Sequence, residues 1–185
     1  HAANPLIRRL LGIENHLMGM ATHRDEVACF YRKLAEWLSV QAEVVCGMGI
    51  DVLHLSDDWG QNERMLFSPR DWWELVYPND KMIVDAGKRA GKPVSMHSDG
   101  FIGDIVGGCV EMGLDVLHPV QESAGMNQFE VKRLYGDKLT IYGGLDITCK
   151  LPFAPEEELV AHVREHMEGL KPGGGFIFCT AHTVQ

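Results

Sequence analysis

Apolar and polar positions switch repeatedly between a helical and an extended period along this chain, which predicts alternating helices and strands. Thr22, with Asp25 three residues on, gives a capping-box-like start, and an amphipathic run follows to about Cys46. Gly47 and Gly49 end it. Asp51-Val52-Leu53-His54-Leu55 is short and largely apolar, a strand that spills into Ser56-Asp57-Asp58. Ser68-Pro69 opens the next helix: serine can cap it, proline suits its first position and Asp71 favours its dipole. That pattern passes through Trp72 and Trp73, breaks near Pro78 and resumes to about Ala90.

The alternation then continues. Pro93 to Met96 reads as a strand ending at His97-Ser98-Asp99-Gly100, and a helix from about Ile102 to Met112 precedes the strand Asp115-Val116-Leu117, which ends at His118-Pro119. Asn127 with Glu130 caps another helix. Leu139 to Tyr142 is a fourth strand, followed by Gly143-Gly144-Leu145-Asp146. A last helix, about Pro155 to Leu170, leads through Gly173-Gly174-Gly175 to the strand Phe176 to Cys179.

Five strands joined by helical crossovers make a parallel sheet. Gly49-Ile50-Asp51-Val52-Leu53-His54 and Gly113-Leu114-Asp115-Val116-Leu117-His118 are near copies, as expected of a repeated βα unit. No glycine-rich phosphate loop follows the first strand, and polar groups follow every strand. Both features favour a barrel over an open sheet. The predicted fold is therefore α/β, a (β/α)8 TIM barrel present as a partial barrel of about five strands in a single domain over residues 1–185. About three further units would precede residue 1.

A barrel gathers its strand ends at one mouth. The groups collected there are Asp57, Asp58 and Glu63; His97 and Asp99; His118, Gln121 and Glu122; Asp146; Thr180 and His182. His97 and Asp99 stand two apart, so an extended backbone points both to one side. They could offer an imidazole nitrogen and a carboxylate to one ion, with His182 as a third ligand and an open fourth position. The same pair also suits a histidine hydrogen-bonded to an aspartate that caps the next helix. Asp57-Asp58 reads either as a general acid beside Trp59-Gly60 or as turn and cap residues. Trp72 and Trp73 read as packing residues, Met18, Met20, Met48 and Met65 as core, and Cys179 as an inert thiol. His162 and His166, four apart on a helix without the glutamate of HExxH, read as surface residues.

Composition narrows the class. A formal charge of −9 argues against a nucleic-acid footprint, and no apolar run approaches a membrane span. Five scattered cysteines without a CxxC pair, and a start without a signal-peptide pattern, suit the cytoplasm.

Asp57-Asp58-Trp59-Gly60, Ser68-Pro69, His97-Ser98-Asp99-Gly100, Gly113-Leu114-Asp115-Val116, Gly143-Gly144-Leu145-Asp146 and Gly173-Gly174-Gly175-Phe176 through His182 resemble, in order and spacing, landmarks of the uroporphyrinogen decarboxylase superfamily. The resemblance covers residues 24 to 185 and implies the last five units of a (β/α)8 barrel. It implies one of two chemistries. One is uroporphyrinogen decarboxylation without a cofactor, in porphyrin biosynthesis. The other is cobalamin-dependent methyl transfer, in which zinc activates a thiol. Related methyltransferases carry His-x-Cys where this chain has His97-Ser98-Asp99, and a second cysteine near His182. Asp99 and His182 therefore replace both thiolates, leaving a harder ligand set that still suits zinc or another divalent metal.

The leading expectation is a metal-dependent, corrinoid-linked methyltransferase with His97, Asp99 and His182 on the metal. Asp57 or Asp58 and Asp146 would position substrate or move protons. The alternatives are a porphyrinogen decarboxylase using Asp99 or His182, and a barrel that only binds a tetrapyrrole or corrinoid. Expected partners are a small-molecule or tetrapyrrole substrate, a corrinoid protein and a second copy of the chain in a homodimer.

Overall fold

The computed structural model describes residues 2–184. Five parallel strands form one sheet in the order β1 (Leu53–Ser56), β4 (Val94–His97), β5 (Val116–His118), β6 (Thr140–Leu145) and β7 (Phe176–Thr180). A two-stranded antiparallel hairpin, β2 (Gly60–Gln61) and β3 (Arg64–Met65), leaves the end of β1. The helices are α1 (Ala3–Leu11), α2 (Ile13–Thr22), α3 (Arg24–Gly47), α4 (Pro69–Asp71), α5 (Tyr77–Arg89), α6 (Val106–Met112), α7 (Gln128–Tyr135), α8 (Lys150–Phe153) and α9 (Glu156–Leu170). This is the α/β arrangement of part of a TIM barrel. Among the described residues no helix is long and apolar enough to cross a membrane.

Strand alternation decides what each face of the sheet carries. Leu53, Leu55, Val94, Met96, Leu117 and Ile141 point to the helices and are buried, each contributing about 1.5–3 kcal/mol by leaving water. Helix α3 buries a stripe at helical spacing, Val27, Tyr31, Ala35, Leu38, Ala42 and Cys46, and packs on α5. Ser56, His97 and His118 alternate to the opposite face. The pairings Ser56↔His97 and His97↔His118 set them side by side in one row at the end of the sheet.

Several local readings change. Helix α3 begins at Arg24 with no side-chain cap, because the Thr22 hydroxyl donates to the Met18 carbonyl instead. Pro78 does not break its helix. A π-helical turn over Trp72–Val76 shifts the hydrogen-bond register, and the proline falls in the first turn of α5, where no N–H is needed. Met20 and Met65 lie in the core, but Met18 and Met48 are exposed. Trp72 is fully buried, edge-on to Trp59 at 5.5 Å, whereas Trp73 is partly exposed.

Candidate metal centre at the barrel mouth

His97 and His118 are in register on adjacent parallel strands about 4.8 Å apart. Their rings therefore meet, Nδ1 to Nδ1 at 2.8 Å. Burial, and then the charge of His97, pushes His118 down to about 4, so it is neutral. A neutral imidazole has one donor and one acceptor nitrogen. His97 is the more readily protonated ring of the two, so the neutral His118 uses its Nδ1 to accept from His97 Nδ1–H. The lone pair of a neutral His97 is thereby placed on Nε2.

That Nε2 faces carboxylates, Asp99 Oδ2 at 3.2 Å and Asp58 Oδ1 at 3.9 Å. Burial opposes a charged His97 ring, but Asp99, Asp58 and Asp57 outweigh it and raise the pKa above the usual histidine value. Burial likewise opposes a charged Asp99, but His97, His182 and His118 hold its carboxyl below the ordinary range. His182 follows β7, where Ala181 N–H donates to Leu145 O, and its Nε2 lies 3.6 Å from Asp99 Oδ2.

One ligand atom from each of His97, Asp99 and His182 lies within 4.8 Å of the other two. Ligands of a tetrahedral zinc sit about 3.4 Å from one another, so this donor set fits a divalent ion. The His182 side chain is 54% exposed against 16% for His97, which leaves one side of the cluster open. A cleft of about 380 Å³ lies on that side, lined by Gln61, Asn62, Asp99, Gln121, Thr148 and His182.

The loops are held by close backbone contact. Trp59 N–H donates to Ser98 Oγ, Phe101 N–H to Gln61 O and Gly100 N–H to Gln121 Oε1. A Cβ on Gly60 would lie 2.6 Å from Asp99 O, and Gly100, at φ +81°, sits equally close to Gly60. The glycines of Asp-Asp-Trp-Gly and His-Ser-Asp-Gly are thus required by one another.

A uroporphyrinogen decarboxylase (URO-D) family model matches residues 6–185. The chain belongs to the uroporphyrinogen decarboxylase family. A curated uroporphyrinogen decarboxylase from Chlamydia muridarum (strain MoPn / Nigg) is 29% identical over 110 residues, 60% of this chain and 31% of that protein. A methyltransferase from Methanosarcina mazei has the same fold, with a TM-score of 0.76 at 16% identity over 98% of this chain. The chain spans 52% of that structure's chain.

In this family member the remaining predicted residues are placed unequally. Asp58 reaches the mouth, and Arg8 from α1 lies 3.7 Å from its Oδ2. Asp57 does not: it is fully buried and accepts from Asn4 Nδ2 and from the Asp58 amide. Asn4 in turn accepts from Tyr31, whose hydroxyl meets His16 at 3.0 Å, a buried polar chain under the site. Asp146 accepts from the amides of Thr148 and Cys149, so its carboxylate is spent on the turn after β6. Cys179 is half-buried, and burial pushes its thiol up, as for an inert cysteine.

His162 and His166 are a correction. They are buried, because α9 turns this face onto β6, and both meet Glu122. Residue type had drawn attention to His118 and Gln121 but assigned neither a role. The Gly49–His54 and Gly113–His118 echo does not supply the signal, because the register sets His118 level with Ser56 and His54 two residues lower.

Burial raises Asp57 to about 7 despite the Asp58 amide, Asn4 and Trp59, which act the other way. The folded chain therefore holds a proton that the unfolded chain has lost, and stability falls as pH rises from 3.8 to about 7. Asp57→Asn is expected to flatten this decline. Thermal melts at about pH 5 and about pH 8 check it, and a variant as pH-sensitive as the parent contradicts it.

Proposed function

We propose that this chain carries the metal centre of a metal-dependent, corrinoid-linked methyltransferase of the uroporphyrinogen decarboxylase family. One observation carries the reading: His97 Nε2, Asp99 Oδ2 and His182 Nε2 converge at the mouth, with His118 setting the tautomer of His97. A divalent ion held there would lower the pKa of a bound thiol or water and so present a nucleophile for a methyl group. The methyl-transfer and corrinoid parts draw support from the resemblance of His97-Ser98-Asp99 to the His-x-Cys of such enzymes, and from the name of the structural neighbour.

Each residue then has a task. His97, Asp99 and His182 would hold the ion beside the cleft. Asp58, 3.9 Å from His97, receives or orients the acceptor's proton. Gln121 fixes Gly100 and so the direction of Asp99. Metal analysis of full-length protein purified without chelator tests the reading. A metal content that falls by about one equivalent on His97→Ala supports it, and a metal content unaffected by that substitution contradicts it.

His118 acts only through His97. His118→Ala is expected to weaken metal binding about ten- to hundredfold, as supporting shells commonly do. His118→Gln, which still offers an acceptor, should recover part of that. Competition with a fluorescent chelator reads the affinity, and two equally silent variants would exclude the role.

A second reading, decarboxylation of uroporphyrinogen without a cofactor, is favoured by the name of the curated relative and by the Asp99–His182 pair, a ready proton donor at 3.6 Å. Turnover of uroporphyrinogen by chelator-treated full-length protein would establish it in place of the first.

A further inference from the structure

Helix α9 presents His162 and His166 one turn apart on its buried face, and Glu122 reaches them from the loop after β5. His166 Nδ1 lies 2.9 Å from the His162 carbonyl, to which only an N–H can donate. A neutral His166 therefore carries its lone pair on Nε2, and that atom is 2.9 Å from Glu122 Oε1. At this distance a cation must lie between the two acceptors, either a proton on Nε2 or a metal ion in its place. His162 Nε2 lies 3.8 Å from the other carboxylate oxygen and donates to the Gly144 carbonyl at 3.1 Å, a proton that a bound ion would displace. Both rings, the carboxylate and a backbone oxygen thus converge.

We propose that Glu122, His162 and His166 form a second site, for a divalent transition-metal ion, behind the mouth. Their ligand atoms lie within 4.8 Å of one another, and the Gly144 oxygen supplies a fourth donor. Two imidazoles and a carboxylate suit zinc, cobalt or nickel better than calcium or magnesium. The His162–His166 spacing is that of a helical chelate, and the His166 bond to a carbonyl is the orienting contact that metal-bound histidines make. His166 is also closed in by Phe129, with ring centroids 5.2 Å apart. The Glu122 side chain remains 28% exposed, which gives an ion a way in. The role is mechanical. The ion fastens the loop after β5 to α9, and that loop carries Gln121, the residue that accepts from Gly100 N–H.

The site shares no ligand with the proposed mouth centre and can be tested without it. Full-length protein bearing His97→Ala and His182→Ala, stripped with chelator and titrated with cobalt(II), is expected to bind one equivalent with visible d–d absorption. Glu122→Gln, nearly isosteric, should weaken that binding more than about tenfold. In otherwise wild-type protein the same Glu122→Gln should lower total uptake by one equivalent, so a mouth variant that misfolds does not remove the test. Two outcomes overturn the proposal. One is no cobalt or zinc uptake by the folded double variant, which would make the cation a proton. The other is uptake that Glu122→Gln leaves unchanged in both backgrounds.

Discussion

Alanine at position 97 is expected to weaken metal binding at the mouth by more than about a hundredfold and, on the proposed function, to abolish methyl transfer with it. The size follows from what the imidazole does twice over. Its Nε2 is one of three donors that converge, and its Nδ1 holds the ring against His118. Loss of the ring removes a ligand and leaves Asp99 with only the more exposed His182 beside it. Both neighbours of His97 survive the change, so the fold should stay intact. Chelator competition reads the affinity, circular dichroism the fold, and turnover by the full-length protein the activity. Metal binding should also fade as pH drops through the raised His97 value, because a bound ion must displace that ring's proton.

The second large effect belongs to Gly100→Ala, and it is one of folding. Gly100 has φ +81°, where an L side chain costs about 1–2 kcal/mol. Its new Cβ would also lie 2.5 Å from the Gly60 carbonyl carbon and 2.6 Å from Gln61 N, backbone atoms that cannot swing aside. Overpacking of this kind costs about 1–3 kcal/mol more. At about 2–4 °C per kcal/mol for a chain of this size, the melting temperature should drop by roughly 5–20 °C. The hairpin of β2 and β3 would be pushed from Asp99, so metal affinity should fall in the part that still folds. Thermal unfolding of the variant beside Gly91→Ala checks this. Gly91 also has positive φ but open space around it, and should show only the backbone part of the loss.

The main strands could be read from the sequence because their apolar runs are short, alternate with amphipathic helices and end in polar clusters. The mouth was legible for the same reason: parallel strands bring successive ends together whatever the intervening length. Shorter elements escaped. The strands β2 and β3 have two residues each and present no period to detect. Helices α1 and α2 precede the first strand, and nothing in their pattern announces that Asn4 and Arg8 reach Asp57 and Asp58.

The harder residues turn on partners distant in sequence. Asp57 and Asp58 are identical in type and adjacent, yet one is sealed beneath the mouth and the other faces it, a difference set by strand alternation and by α1. Asp146 looked like a mouth residue, but two amides of its own turn claim the carboxylate. His162 and His166 looked like surface residues because their acidic partner lies 44 residues from His166 and not within the helix. His118 could be placed on a strand end. Its use in orienting His97 needed the register of β4 against β5.

The most direct test is anomalous diffraction at the zinc absorption edge from crystals of the full-length protein grown with zinc. A metal centre at the mouth predicts a peak about 2.0–2.2 Å from His97 Nε2, Asp99 Oδ2 and His182 Nε2 together, with an open side toward the cleft. An ordered mouth with His97 hydrogen-bonded directly to Asp99 and no peak between them would contradict it.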